Sequence, residues 1–296
     1  MHRTMGPAPD TSTPGDLEYT PDEPFRCRVG EPRPMTGADE PSRVQVPKGD
    51  LLEGLGKTLL IIEAFDEDHP RVTVSALAKR CGLSRTTARR YLMSLCHYGY
   101  ADTDGKLFWL LPRVLRLGHG YLTTARLPRL VQPFIQRMSG LCGETVNVSV
   151  LDGHEVLYVA RSHAPRVVSI GFHPGARAPA HAVGPGVVIP STWDDDTADR
   201  WVASHEFVRF SSHTVTDPTR FREAIRTARH SGYWIVEQQL DVGLCGIAVP
   251  LVDRKGVCHG AVGMTVQASA YSTEAMHGRL LPLLRETAKD LRPLLS

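Results

Sequence analysis

VTVSALAKRCGLSRTTARRYLMSLCHYGYADTDGKLFWLL, residues 72–111, carries its own punctuation. Thr73 stands at an N-cap position ahead of VSALAKRC, and Gly82 follows where a left-handed residue stops a helix. Ser84 caps the next segment, RTTARRYLMSLCHY, and Gly99 closes it. YADTDGKLFWLL then sets Asp104-Gly105 between two extended runs, the short-range signature of a β-hairpin. Upstream, LLEGLGKTLLIIEAF from Leu51 repeats apolar residues at helical spacing and supplies a first helix. Helix, helix, tight turn, helix and hairpin, in that order, make a winged helix-turn-helix.

The same stretch holds an uneven charge. Between Arg71 and Tyr100 lie Arg71, Lys79, Arg80, Arg85, Arg89 and Arg90 and no Asp or Glu, although the whole chain has a formal net charge of only +2. Basic side chains that neutralise phosphates release counterions, so such a patch implies salt-dependent binding to duplex DNA. Ala88, Tyr91, Leu92 and Leu95 follow the i, i+3, i+4, i+7 rule and turn inward. Thr86, Arg90 and Met93 then face out, with Thr87, Arg89 and Ser94 on the flanks. Arg suits bidentate pairing with guanine, and Thr suits a phosphate or a thymine methyl. Ser84 and Arg85 at the helix start are placed for phosphates, and Lys106 at the hairpin tip for the backbone or minor groove. A solvated helix face is the plainer account of an arginine row. The missing acids, the place on the second helix of the pair and the wing behind it weigh against that account.

Outward from this unit, Pro112 opens PRVLRLGHGYLTTA, a linker helix, and LPRLVQPFIQRMSGLCG continues in helical pattern. TVNVSVLDGHEVLYVARS alternates about Asp152-Gly153 as a hairpin, and RVVSIGF reads as a strand. PTRFREAIRTARHSG is a helix capped by Asp217 or Thr216. YWIVEQQ, CGIAVPLVD and HGAVGMTVQA are strands, and STEAMHGRLLPLLRETAKDLRPLL is a closing helix capped by Ser272 or Thr273. Antiparallel strands flanked by helices give the α+β class. Residues 1–50 hold nine prolines and no sustained apolar period, and read as a disordered tail. The expected division is tail 1–50, winged helix-turn-helix 51–112, linker helix 113–126 and a second domain 127–296.

A chain of 296 residues has room for two cores. No run of 18 apolar residues is present, so no membrane span is expected, and MHRTMGPAPD lacks the apolar core of a secretory signal. The six cysteines (Cys27, Cys81, Cys96, Cys142, Cys245, Cys258) include no CxxC pair and read as free thiols in a reducing, cytoplasmic setting.

Residues 54–296 resemble the IclR family of bacterial regulators, and in particular its Pca/Pob branch. The resemblance rests on Leu83-Ser84-Arg85 with Ala88-Arg89-Arg90, Gly99-Tyr100, Asp104-Gly105 and Pro112-Arg113-Val114-Leu115. SVLDGHEVLYVARS and GYWIVEQQLDVGLCGIAVPLVDRKG add to it. The resemblance implies a GAF-like effector domain, a homodimer or homotetramer, and a roughly palindromic promoter site. For this branch it implies a small organic acid as effector, with protocatechuate, 4-hydroxybenzoate and β-ketoadipate as candidates; many of its members activate transcription. Carried over from the family, the effector cup is expected at Val183, Gly184 and Pro185, with Val236, Glu237, Gly246, Gly263 and Thr265. Amides of the segment Ala182–Gly186 are expected to hold a carboxylate. The chain departs from the family at Val236, Gly246 and Gly263, where polar residues are common, and Pro190 is expected to shorten the helix after Gly186. Fewer polar anchors imply a larger or more apolar ligand, or a degraded sensor. His181 is a pocket candidate and equally a core or surface histidine.

Other signals are weaker. Gly56-Lys57-Thr58 ends like a phosphate-binding loop, but Leu51 stands where its first glycine belongs. Cys245, Cys258 and His259 lack metal-ligand spacing and an orienting third group, and Asp194-Asp195-Asp196 is better read as a helix N-terminus than a cation site. No cofactor, metal or catalytic residue is expected. Two alternatives to a ligand-responsive regulator stay open: a DNA-binding protein with a vestigial or non-acid pocket, and an enzyme with an accessory helix-turn-helix.

Overall fold

Thr73 and Ser84 are the caps of the two helices they precede. In the computed structural model, which describes residues 47–66, 68–162 and 172–295, α1 (Glu53–Glu63) leads through a two-residue strand, β1 (Val72–Thr73), into α2 (Val74–Arg80) and α3 (Arg85–His97). Thr73 Oγ1 accepts from the Ala76 amide at 3.2 Å, and Ser84 Oγ from the Thr87 amide at 3.1 Å. β2 (Ala101–Thr103) and β3 (Leu107–Leu110) form the wing. β1 joins it as a third strand, pairing Val72 with Phe108, which the sequence pattern did not reveal. Ile61, Leu77, Leu92, Leu95 and Phe108 are the buried centre of this unit.

Beyond a short 3-10 turn at Pro112–Val114, α4 (Leu115–Thr124) and α5 (Arg126–Cys142) meet at Ala125, whose ψ of 126° breaks the helix between them. The larger unit follows: β4 (Val146–Asp152), β5 (Glu155–Arg161), β6 (Arg177–Pro179), α6 (Pro185–Val188), α7 (Asp195–Ala203), α8 (Pro218–Ser231), β7 (Trp234–Glu237), β8 (Leu244–Val252) and β9 (Cys258–Gln267). α9 (Thr273–Ala275), a π turn at Met276–Leu280 and α10 (Leu281–Leu291) close the chain. Pro282 has no amide to donate, and the π turn carries the helix past it. The sheet is antiparallel in the order β6-β5-β4-β9-β8-β7. Its period-2 alternation feeds two faces. Val148, Ile247, Val249, Val262 and Met264 pack with Ile135 and Met138 of α5 and Leu284 of α10. On the opposite face, Ala248 and Ala261 pack with Val187 and Val188 of α6 and Phe221 and Ile225 of α8.

Of the strand expected at RVVSIGF, all but Phe172 lies outside the described residues, as does the expected tail save its last few residues, where Lys48–Asp50 makes a 3-10 turn. β6 is an addition that its three residues did not announce. α6 has only four residues and passes into a 3-10 turn at Pro190–Thr192, as Pro190 implied.

Residues 180–186 lie against the sheet at backbone distance. A Cβ on Gly186 would stand 2.0 Å from the Ala180 carbonyl oxygen, and one on Gly184 3.2 Å from Ala248 Cβ. Gly186→Ala is therefore expected to destabilise the protein by about 1–3 kcal/mol through overpacking. Gly140→Ala, exposed on α5 with nothing within 4 Å of the added carbon, is expected to leave stability unchanged or raise it by about 0.5–1 kcal/mol. Denaturant midpoints check both; equal midpoints for the two variants would contradict the close approach.

Candidate functional site

The first candidate surface is α3. Ser84, Arg85, Thr86, Arg89 and Arg90 are exposed and Thr87 is half-buried, while Ala88, Leu92 and Leu95 are buried. The Ser84 hydroxyl donates to Thr87 Oγ1 at 2.8 Å, so both side chains belong first to the helix cap. No ion pair holds Arg85, Arg89 or Arg90 among the described residues. Arg71 lies 4.4 Å over the Trp109 ring, which braces the wing by a cation–π contact. Lys106 is exposed at the hairpin tip. There Asp104 accepts from the Leu107 amide at 2.7 Å and the Lys106 amide at 2.9 Å, bonds that hold its carboxyl below the usual range. Gly105, with φ of 93°, supplies the left-handed turn residue. Arg80 is removed from the basic patch read from sequence. It pairs with Asp66 at 2.7 Å and meets His69, and its side chain is almost wholly buried.

The second candidate is a cavity between the sheet and the segment at 182–185, about 550 Å³ counting its mouth. Val183, Gly184 and Pro185 line it from above. Val236, Gly246, Thr265 and Gly263 line its floor because the register brings them together: Val236 pairs with Gly246, Gly246 with Thr265, and Gly263 with Ala248. Seven of the eight cup positions thus meet at one cavity. Glu237, next along β7, points the other way, exposed, with its carboxylate accepting from the Thr273 hydroxyl. A Cβ on Gly263 would come within 2.6 Å of the Ile247 carbonyl oxygen, so this glycine answers a strand approach rather than a lost polar anchor.

Polar groups enter from elements the sequence reading passed over. Asn147 and Ser149 of β4 line the cavity and are buried, as are Tyr158 and Phe172, whose rings stack at 4.3 Å with 13° between planes. Gln239 and Asp241 reach it from the β7–β8 loop. Asn147 is 3% exposed, and its Oδ1 has no donor among the described residues. The signal was present in TVNVSV: two polar residues sit at alternate positions of a strand covered on both faces. The expected amide cradle at Ala182–Gly186 is partly occupied, since the Val183 and Gly186 amides donate to the Ala180 and Val183 carbonyls and Pro185 has no amide N–H. His181 does not line the cavity. It is buried among His205, Phe207 and Phe210, its Nε2 2.8 Å from the Val208 carbonyl oxygen and its Nδ1 2.7 Å from His205 Nε2. Burial pushes its pKa down and favours the neutral ring. The acidic run is a helix start: Asp194 caps α7 through the Thr197 amide at 2.8 Å, and Arg222, then Arg229, hold Asp195 down to about 2. His259 pairs with Asp253 at 3.1 Å in the β8–β9 turn.

The comparisons with known proteins converge on this arrangement. Residues 119–292 match the model described as bacterial transcriptional regulator IclR C-terminal, and residues 54–105 match the IclR helix-turn-helix domain. The chain belongs to the IclR family of bacterial transcriptional regulators. A p-hydroxybenzoate hydroxylase transcriptional activator of Acinetobacter baylyi is 38% identical over 86% of this chain and 95% of its own. A crystal structure of the regulator RHA06195 from Rhodococcus sp. RHA1 is 35% identical, covers 82% of this chain and 97% of that one, and has a TM-score of 0.68. The inducer-binding domain of PobR from Acinetobacter, solved as a double mutant with 3-hydroxybenzoic acid, is 34% identical and covers 57% of this chain and 99% of that one, with a TM-score of 0.54. This IclR-family protein therefore pairs a DNA-binding helix-turn-helix with a C-terminal effector-binding domain, and it falls in the Pca/Pob branch. No helix among its described residues is long and apolar enough to cross a membrane.

Arg90→Ala is expected to weaken specific binding to promoter DNA about tenfold or more, with the melting temperature unchanged. Footprinting and circular dichroism read the two quantities. An unchanged footprint would contradict the role given to the outer face of α3.

Proposed function

We propose that this chain is a cytoplasmic, ligand-responsive regulator that reads promoter DNA with α3 and senses a small aromatic hydroxy acid in the cavity. The observation that carries the sensing half is Asn147. A buried amide oxygen without a donor costs about 1–3 kcal/mol, and a ligand that donates to it recovers that cost. The names of the relatives support an aromatic acid: one is a p-hydroxybenzoate hydroxylase transcriptional activator, and one was solved with 3-hydroxybenzoic acid. Protocatechuate and 4-hydroxybenzoate are the first candidates, ahead of β-ketoadipate. The cavity serves recognition and not turnover. Among the described residues that line it, no polar groups form a nucleophile–base–orienter set.

On the DNA side, Thr86, Arg89 and Arg90 meet the major groove, with Ser84 and Arg85 at the helix start beside the phosphates, Thr87 fixing that start, and Lys106 touching the backbone beyond. α3 spans 13 residues, about 20 Å, enough to lie along the groove. The reading requires two copies. Leu52, Leu55 and Leu59 expose one stripe along α1, and Leu115, Leu117 and Tyr121 stand exposed on α4. Leu52 at 77% and Leu115 at 73% are poor solutes alone, and a second chain covers them in a homodimer, or in a homotetramer built from it. The division 51–112, 113–126 and 127–296 places α4 as the link through which cavity occupancy alters the spacing of the two α3 helices. The ligand does this by binding one spacing more tightly than the other.

The test is fluorescence anisotropy of a labelled duplex from the region upstream of the gene, across rising salt, with and without 4-hydroxybenzoate or protocatechuate. Binding is expected to fall steeply with salt. An acid that raises the melting temperature is expected to change DNA affinity or footprint and to be recovered unaltered. Salt-insensitive binding, no binding, or turnover of the acid would overturn the proposal.

A further inference from the structure

The charge of the cavity is as informative as its shape. None of the described residues that line it is Lys, Arg or His, and one is an acid, Asp241, half-buried in the loop between β7 and β8. Asp241 has no ion pair among the described residues. Burial pushes its carboxyl above the usual range, and the Val242 amide offsets this only in part. The other polar groups are neutral: Asn147, Ser149, Tyr158, Gln239 and Thr265.

The register spreads these groups out. Asn147 sits beside Gly263, Thr265 lies two residues further along β9 beside Gly246, and Asp241 precedes the Leu244–Gln267 pair two residues beyond that. The Ser149 and Thr265 hydroxyls and the Gln239 amide are neutral donors able to hold a single carboxylate by hydrogen bonds, which leaves the Asn147 oxygen to a donor of the ligand. A second carboxylate toward Asp241 meets a like charge with no cation among the described lining residues to offset it, in surroundings that screen poorly. A hydroxyl at that place donates to Asp241 instead, in a charge-assisted bond stronger than a neutral one. The Tyr158–Phe172 stack gives the cavity an aromatic wall suited to a flat ring.

We infer that Asp241 determines which acids the cavity accepts: a flat ring with one carboxylate and a hydroxyl that donates to Asp241 is bound, and an aliphatic dicarboxylate is refused. The inference rests on the sensing reading above and narrows its ligand class.

Isothermal titration calorimetry of the full chain with benzoate, 4-hydroxybenzoate, 3,4-dihydroxybenzoate and adipate tests it, on the wild type, Asp241→Asn and Asp241→Ser. In the wild type a hydroxylated ring is expected to bind about tenfold tighter than benzoate, and adipate to give no heat of binding. Both variants are expected to shrink that preference to about threefold or less and to admit adipate, with benzoate affinity kept. Retained benzoate affinity also certifies that a variant is folded, and the second variant serves if the first is not. An undiminished hydroxyl preference in both variants, or adipate binding the wild type as tightly as the hydroxylated rings, would overturn the role of Asp241 while leaving the sensing reading in place. Failure of all four acids to bind the wild type would overturn the sensing reading and this inference with it.

Discussion

The backbone contact between residues 180–186 and the sheet is the constraint on which the effector-binding domain depends. Gly186 lets that segment fold back on the Ala180 carbonyl, and Gly184 lets it settle on Ala248. Side chains at either place would lift the segment away, and the space beneath would open to solvent. Held down, the segment roofs a cavity whose floor is β4, β9, β8 and β7 in cross-strand register. Asn147 is then shut in with no donor for its oxygen among the described residues. A protein core rarely tolerates such a group, because desolvating it without a partner is unfavourable. The roof thus creates both the enclosure and the need that a ligand satisfies.

At the other end of the chain the logic is reversed: the groups that matter are kept out of the fold's own interactions. Ser84 and Thr87 start α3, and Ala88, Leu92 and Leu95 anchor it, which fixes the helix without engaging Arg85, Arg89 or Arg90. Arg80, by contrast, is taken up by Asp66, and Arg71 by the Trp109 ring. The wing is stiffened by the same economy of short contacts, with Asp104 gathering the amides of its tip and β1 pairing along β3. An arginine row left unpaired among the described residues, on a rigid, capped helix, carries a charge that duplex DNA fits as partner.

How much of this was legible depends on range. The helix-turn-helix was readable almost residue by residue because its signals are local: Thr73, Ser84, Gly82, Gly99 and Asp104-Gly105 act within a few positions. The strands of the second domain were readable from alternation. The cavity was only partly so. Its roof and much of its floor followed from family resemblance, whereas Asn147 and Ser149 were missed because polar residues at alternate strand positions ordinarily face water, and this sheet has helices or a lid on both faces. Asp241 sits in a loop whose return over the cavity is a tertiary event. Glu237 lies one residue from Val236, and strand alternation alone turns it to the opposite side. Arg80 looked like part of the basic surface because its partner, Asp66, lies fourteen residues away beyond the helix it serves.

The central claim is that Asn147 is kept unpaired for a ligand at the expense of the empty protein, and Asn147→Leu tests it most directly. Leucine fills nearly the same space and leaves no polar group to desolvate. The account predicts that the ligand-free variant melts at the same temperature as the wild type or higher, while calorimetric binding of 4-hydroxybenzoate is lost. A variant that melts lower yet binds the acid as before would show that Asn147 belongs to the architecture and not to the sensor.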